Sequence, residues 1–373
     1  MLDSSFRLGS VLGIRIGVHY TWFIIFALLT YSLYAVFAYQ HEQWQSSVAL
    51  GTAVVTSLLF FASILLHELG HSVVALYRGI RVRAITLFIF GGMAQTEKDA
   101  ESAATEFWIA IAGPIVSLLL AGMFYVLALL TGQPGAPATE ACTWLARINL
   151  MVALFNLLPG FPLDGGRVFR AIVWWVSGNA RKGMQWALWS GRVVAYGLIG
   201  YGLFVILYHG YVINGMWIAL IGWFLLNLTQ AHGREYTLGR VLNNVTVLHM
   251  MRRDVPRVAA TTPILEWVDD YVLTHGLRAY LVDDEGRAVG LVTLSDASRI
   301  ERAEWGKVSV RKVMTPYERL HMVSPDANLA QVMRLMYEYS LNQVPVNRNG
   351  DIVGWIDRDY LLRVLQLHSE TGR

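Results

Sequence analysis

"SILLHELGHSVV", residues 63–74, sets three ionisable side chains, His67, Glu68 and His71, inside an otherwise apolar run. A charge at a bilayer centre costs about 2.5–3.5 kcal/mol on insertion scales, so such groups inside a span ordinarily have a dedicated partner. In a helix, residues four apart lie on one face about one turn apart, so His67 and His71 can address one ion while Glu68 stands beside it. This is zinc-ligand spacing. A catalytic zinc takes three protein ligands and leaves a fourth position to water, and an adjacent carboxylate can take the proton of that water during attack on a carbonyl. The bland alternative is two histidines that share a helix face by coincidence and hydrogen-bond to their neighbours. The location inside an apolar run weighs against it.

The rest of the chain supports a membrane setting. Of its 373 residues, 55% are hydrophobic and only 15% charged, and the mean hydropathy is +0.43, too apolar for an ordinary soluble enzyme of this size. A formal charge of +3, with no basic tract interleaved with aromatics, excludes nucleic acid as a partner. Cys142 is the only cysteine, so there is neither an intramolecular disulfide nor a zinc site built from several thiolates. Any metal must be held by His, Asp or Glu.

Long apolar runs occur near residues 18–39, 48–77, 105–130, 143–163, 184–208 and 212–230, each near or above the roughly 20 residues needed to cross a bilayer core. Six spans are therefore expected. The first, "VHYTWFIIFALLTYSLYAVFAY", has no small-residue cleavage site after it and reads as uncleaved. Between the second and third, "RVRAITLFIFGGMAQTEKD" is β-branched and aromatic with a Gly-Gly pair, which predicts a small membrane-associated β-hairpin. Arg7 and Arg15, then Arg78, Arg81, Arg83 and Lys98, then Arg167, Arg170, Arg181 and Lys182 fall on one side, and the opposite connections carry no Lys or Arg. Positive charge is retained in the cytoplasm, so a multi-pass protein with both termini cytoplasmic is expected. His67 lies eleven residues before Arg78, about 16 Å along a helix, so an ion there would lie within the hydrocarbon layer, nearer the cytoplasmic side. His19, His41, His209 and His232 fall near span ends and read as interfacial, not as ligands.

Two histidines need a third ligand, and Asp164 in "NLLPGFPLDGGR" (156–167) is the best candidate. Pro159, Gly160 and Pro162 break the fourth span just before it, and unwound backbone at membrane depth is tolerated where it lines a cavity or is buried in protein. The same residues also read as a loop leaving the membrane. Asn156 could orient a substrate or stabilise an oxyanion, or simply pack between helices. Arg167 reads as a partner of Asp164 or as a cytoplasmic anchor. In the fifth span, the glycines of "GRVVAYGLIGYGLF" allow close helix approach.

From about residue 231 charges recur every few positions and the apolar runs end. The division expected is a six-span membrane domain over 1–230, a linker over 231–240 and a soluble α/β domain over 241–373. That domain is a duplication at an offset of 62 to 64 residues, with one repeat over 241–304 and the other over 305–373, each reading strand, helix, strand, turn, strand, helix.

With these motifs in hand, residues 7–230 resemble the site-2 protease family of intramembrane zinc metalloproteases. "HELGH" matches the family's His-Glu-x-x-His motif and "NLLPGFPLDGGR" its Asn-x-x-Pro and later Asp-Gly motif. "FGGMAQ" (90–95) and "AGPIVS" (112–117) look like its Gly-Gly strand region and the Gly-Pro of its third span. The resemblance implies that His67, His71 and Asp164 ligate one Zn2+, that Glu68 activates water, and that Asn156, Gly91 and Gly92 contact substrate. It also implies a substrate class, transmembrane helices of proteins such as anti-sigma factors, membrane-tethered regulators or remnant signal peptides. A strand edge between Ile85 and Met93 could hold an unwound substrate segment by β-augmentation, or the hairpin could merely plug the cavity.

The duplicated domain resembles a tandem cystathionine-β-synthase (CBS) domain pair, which commonly binds adenine nucleotides. "GLVTLSD" (290–296) places Thr293 and Asp296 where that family contacts phosphate and ribose. In "GWIDRD" (354–359), Asp357 stands where Thr is expected, so Asp359 keeps the ribose role while the phosphate contact falls into doubt. A purely structural module, joining a homodimer through the CBS domains, is the alternative. The competing overall reading is a CBS-regulated transporter or channel with a structural metal site. It calls for polar residues along a continuous pore, whereas here they cluster at one depth. An inactive helix-binding scaffold would not need Glu68.

Overall fold

Ile14, Ile16, Gly17 and Val18 are buried while Arg15 is exposed, so this strand is covered on most of its length with one outward side chain near its start. They lie in β2 (Ile14–His19), which pairs antiparallel with β1 (Ser5–Val11). Leu12 and Gly13, both at positive φ (53° and 78°), make the two-residue turn that such a hairpin favours. The computed structural model describes residues 5–88, 91–96 and 98–363, and within them the chain forms two compact units, residues 1–232 and 233–373.

In the first unit, β2 leads into α1 (Thr21–Gln40) and α2 (Ser46–Tyr77), after which β3 (Val82–Phe88) returns parallel to β2. β4 (Gly91–Thr96) pairs antiparallel with β3, giving a four-stranded sheet in the order β1-β2-β3-β4. The expected hairpin is thus the second half of a larger sheet, and the first span starts at Thr21, because residues 14–19 are claimed by strand pairing. β3 is paired on both sides, so the free edge beside the predicted substrate region is β4. Residues 89 and 90 of the predicted edge lie outside the described residues. Ile14, Val82 and Ile85 from the sheet pack with Ala75 of α2, Ile80, and Ile109 of the next helix in one buried cluster, which seats the sheet against the helices.

Four long helices follow, α3 (Ala103–Thr131), α4 (Pro137–Asn156), α6 (Ala180–His209) and α7 (Val212–Asn244), with the shorter α5 (Asp164–Ser177) between α4 and α6. Among the described residues five helices are long and apolar enough to cross a membrane: α1, α2, α3, α6 and residues Val212–Thr237 of α7. The expected count of six is not confirmed among the described residues. The apolar window 143–163 is split, since α4 stops at Asn156, and α4 itself carries Glu140 and Arg147. Between the windows expected as the fourth and fifth spans lies the helix α5. At the α6–α7 seam, a Cβ on Gly202 would fall 2.6 Å from the Gly215 carbonyl oxygen, and one on Gly215 would fall 2.5 Å from that of Gly202. The two backbones touch, as the glycine-rich fifth span predicts.

The second unit holds one sheet of β5 (Arg257–Ala259), β6 (Ala279–Asp284), β7 (Arg287–Thr293) and β8 (Thr315–Pro316), and another of β9 (Gln343–Arg348) and β10 (Asp351–Asp357). Its two cores exchange segments. Val258, Ile264, Trp267, Val282 and Val292 pack with Val308, Val310 and Val313, while Val323, Leu329, Val332, Val344 and Ile356 pack with Val245, Val247 and Met250. The stretch that opens each repeat completes the core of the other.

Candidate metal centre

α2 carries His67 and His71 one turn apart, 4% and 8% exposed, with their Nε2 atoms 3.3 Å apart. α3 orients both rings from behind. The His67 Nδ1 lies 2.9 Å from the Ser117 hydroxyl, and the His71 Nδ1 lies 2.6 Å from the Ile109 carbonyl oxygen. A carbonyl only accepts, so the proton of neutral His71 is on Nδ1 and its Nε2 presents a lone pair. Gly113 lies between these two supports. A Cβ there would fall 2.2 Å from His71 Nε2 and 2.7 Å from His67 Nε2, so only glycine lets α3 pass this close.

The third group arrives from far along the chain. α4 ends at Asn156, residues 157–163 break the helix, and Asp164 opens α5. The broken stretch is gripped by α6 and α7: the Phe161 N–H donates to the Ala187 carbonyl at 3.4 Å, and the Thr229 hydroxyl lies 2.6 Å from the Phe161 carbonyl oxygen. Gly165 and Gly166 let the first turn of α5 fold back on this loop, since Cβ atoms there would fall 2.2 Å from the Leu157 oxygen and 2.3 Å from the Phe161 nitrogen. Asp164 Oδ2 consequently stands 3.1 Å from His67 Nε2 and 3.2 Å from His71 Nε2.

Three atoms with lone pairs therefore converge in a buried place. A single proton bridges one pair only, whereas one cation satisfies all three, and two imidazole nitrogens with a carboxylate oxygen are a donor set that suits zinc and leaves a coordination position open. Among the described residues this is the one group of three or more such side chains close enough to share an ion.

Glu68 is half-buried and lines, with His67, His71, Asp164, Asn156, Gly91 and Gly92, a cavity of about 960 Å³. The residues expected at the site are thus brought to one place. Gly92 passes so near Glu68 that a Cβ would fall 2.4 Å from its Cγ, and Gly91 holds a φ of 124°, a region open to glycine. His232 also lines the cavity and packs edge-on against Phe161.

Arg167 pairs with Glu106 in place of the expected Asp164. It donates from Nε to Glu106 Oε1 at 3.1 Å, and Arg170 Nη1 lies 3.6 Å from the same oxygen. Glu106, Ser117 and Gly113 were not legible as site residues. The signal available for Glu106 was a lone carboxylate just inside the third apolar run. Asn149, buried on α4, is a further unforeseen polar group, lying 3.4 Å from Ser63 of α2.

In the second unit Thr293 and Asp296 line a separate cavity of about 510 Å³ together with Arg278, Arg299, His321 and Tyr339. The Thr293 hydroxyl donates to Asp296 Oδ2 at 2.7 Å. Asp359 does not line this cavity. Asp357, in the place of the expected threonine, accepts from the Asp359 N–H at 2.9 Å and so caps the helix that follows, a role open to Asp as to Thr.

A buried two-histidine, one-aspartate cluster with an adjacent glutamate, set among long apolar helices, defines a membrane metallohydrolase architecture. The family model "Peptidase family M50" matches residues 55–141 and 134–198, and "CBS domain" matches 247–302 and 310–367. A candidate zinc metalloprotease of Synechocystis sp. is 33% identical over 368 residues, covering 98% of this chain and 96% of the relative. Rip3, a candidate zinc metalloprotease of Mycobacterium tuberculosis, is 30% identical over 365 residues, covering 97% and 93%. A site-2 protease structure from Methanocaldococcus jannaschii, 28% identical, covers 61% of this chain and 94% of its own, with a TM-score of 0.38. The chain belongs to peptidase family M50, the site-2 proteases, and carries a C-terminal CBS pair.

Proposed function

We propose that this chain is a zinc-dependent intramembrane endopeptidase in which His67, His71 and Asp164 hold the metal and Glu68 carries protons. The observation that supports the reading most is the approach of His67 Nε2, His71 Nε2 and Asp164 Oδ2 to within 3.1–3.3 Å of one another, with the opposite nitrogen of each imidazole held by α3. Zinc bound by these residues supplies Lewis acidity, making water more acidic and a peptide carbonyl more electrophilic. Glu68, next to His67 on α2 and lining the same cavity, takes a proton from the attacking water at its carboxylate and delivers it to the departing amine nitrogen. Asn156, at the end of α4, contacts the peptide beside the bond that breaks.

The substrate is a transmembrane segment of another protein, of the anti-sigma factor, membrane-tethered regulator or remnant signal peptide kind. A helix hides its peptide bonds in its own hydrogen bonds and must open before cleavage. The free edge of β4, with Gly91 and Gly92 at the cavity wall, offers backbone groups to an opened strand. Residues 1–230 form the protease and 241–373 the CBS pair, with both termini cytoplasmic. An adenine nucleotide in the cavity beside Thr293 and Asp296 adjusts activity, and the CBS domains join two copies.

The test is co-expression of the full chain with single-span membrane proteins, followed by mapping of new termini. Glu68→Gln is expected to retain zinc and to lose about 10²–10⁴-fold in cleavage rate. Undiminished cleavage by that variant would remove Glu68 from the mechanism.

A further inference from the structure

The support given to the cluster by α3 does not stop at the two histidines. Glu106, Ile109, Gly113 and Ser117 are spaced by three, four and four residues, so they form one stripe along that helix, and all are buried. Ser117 holds His67, the Ile109 carbonyl holds His71, and Gly113 gives both rings room. Glu106 is the remaining member. Its carboxylate, on a residue only 2% exposed, faces two guanidinium groups of α5: Arg167 through Nε at 3.1 Å and Nη2 at 3.5 Å, and Arg170 at 3.6 Å.

A carboxylate buried to this degree is tolerated only with a partner, so the ion pair ties α5 to α3. Arg167 lies one turn after Asp164, on the same face of the first turns of α5. That turn cannot inherit its position from α4, because residues 157–163 interrupt the helical hydrogen bonding. Its place is therefore set by tertiary contacts, the grip of α6 and α7 on Phe161 on one side and Glu106 on the other.

We propose that Glu106 is a positioning residue: by drawing Arg167 and Arg170 against α3 it holds Asp164 within coordinating reach of His67 and His71. One helix face then aligns all three ligands. The inference rests on the ligand assignment made above.

The experiment uses the full chain in detergent, with zinc affinity measured by chelator competition and the visible absorption of the Co2+-substituted protein recorded. Asp164→Ala serves as the control. Glu106→Gln is expected to bind zinc about 10–100-fold more weakly and to shift the Co2+ bands, while retaining wild-type helical content and elution volume. Glu106→Asp, which keeps the charge, recovers most of the affinity. Glu106→Gln combined with Arg167→Met is no weaker than Glu106→Gln alone, because the glutamate acts through that arginine. Wild-type affinity and an unchanged Co2+ spectrum in assembled Glu106→Gln overturn the proposal. Should that variant fail to assemble, the triple change Glu106→Gln, Arg167→Met, Arg170→Met removes the whole charge set, and wild-type metal behaviour there overturns it equally. Undiminished zinc binding by Asp164→Ala would strike the ligand assignment itself, a failure distinct from that of Glu106.

Discussion

Gly113 has no side chain, and that is what lets α3 approach His67 and His71 so closely. Its hydrogen faces the two Nε2 atoms, and the nearest would lie 2.2 Å from an added methyl group. Gly113→Ala should therefore push α3 away from the histidines and lower zinc affinity by more than about tenfold with the helices intact, read by metal titration alongside circular dichroism. Ser117→Ala removes only the hydroxyl behind His67 and leaves the ring its space, so a loss at the low end of about 10–100-fold is expected. His67, Glu68 and His71 were legible because a helix places neighbours four apart on one face, and this needs no knowledge of the rest of the fold. Gly113, Ser117 and Glu106 were not. The motif at 112–117 and the lone carboxylate of Glu106 mark the helix, but what these residues touch appears only when α3 is laid against α2 and α5.

At the scale of elements, the apolarity of residues 143–163 conceals a helix end. Pro159 and Pro162 cannot continue helical hydrogen bonding, and the freed backbone of Phe161 is satisfied by α6 and α7 instead. The Thr229 hydroxyl, shared between the carbonyls of Phe161 and Leu225, is the clearest such contact. Thr229→Val keeps the shape and leaves the buried Phe161 carbonyl without that donor, so a loss of about 1–3 kcal/mol in stability is expected, measurable by denaturant unfolding in mixed micelles. The N-terminal hairpin was missed for a different reason. The alternation of Ile14, Ile16 and Val18 was present in the sequence, but the apolar run that begins at Val18 masked the strand's end. The parallel pairing of β2 with β3 joins residues separated by two membrane helices.

Across the whole molecule the two units rest on different physics. In the first, buried polar side chains recur along the apolar helices, and His67, His71, Glu106 and Ser117 among them belong to the cluster and its supports. In the second, ordinary hydrophobic cores are shared between repeats, with Val247 and Val310, both fully buried, each completing the core of the other repeat. Val247→Ala should thus weaken the core around Val323 and Ile356, and Val310→Ala the core around Trp267 and Val282, each by about 1–3 kcal/mol. Hydrogen exchange on the full chain would locate each loss, and protection lost only around the substituted residue's own repeat would contradict the exchange.

The sequence by itself determined the membrane setting, the His-Glu-x-x-His helix, the break before Asp164 and the duplication, because each is written in local composition or spacing. Only the tertiary structure decided that Asp164 reaches the histidines, that Arg167 turns to Glu106 and that β4 supplies the free edge. Those outcomes depend on which helix faces are pressed together, and burial makes unpaired charges and unsatisfied carbonyls too costly to leave without partners, so distant segments of the chain are obliged to supply them.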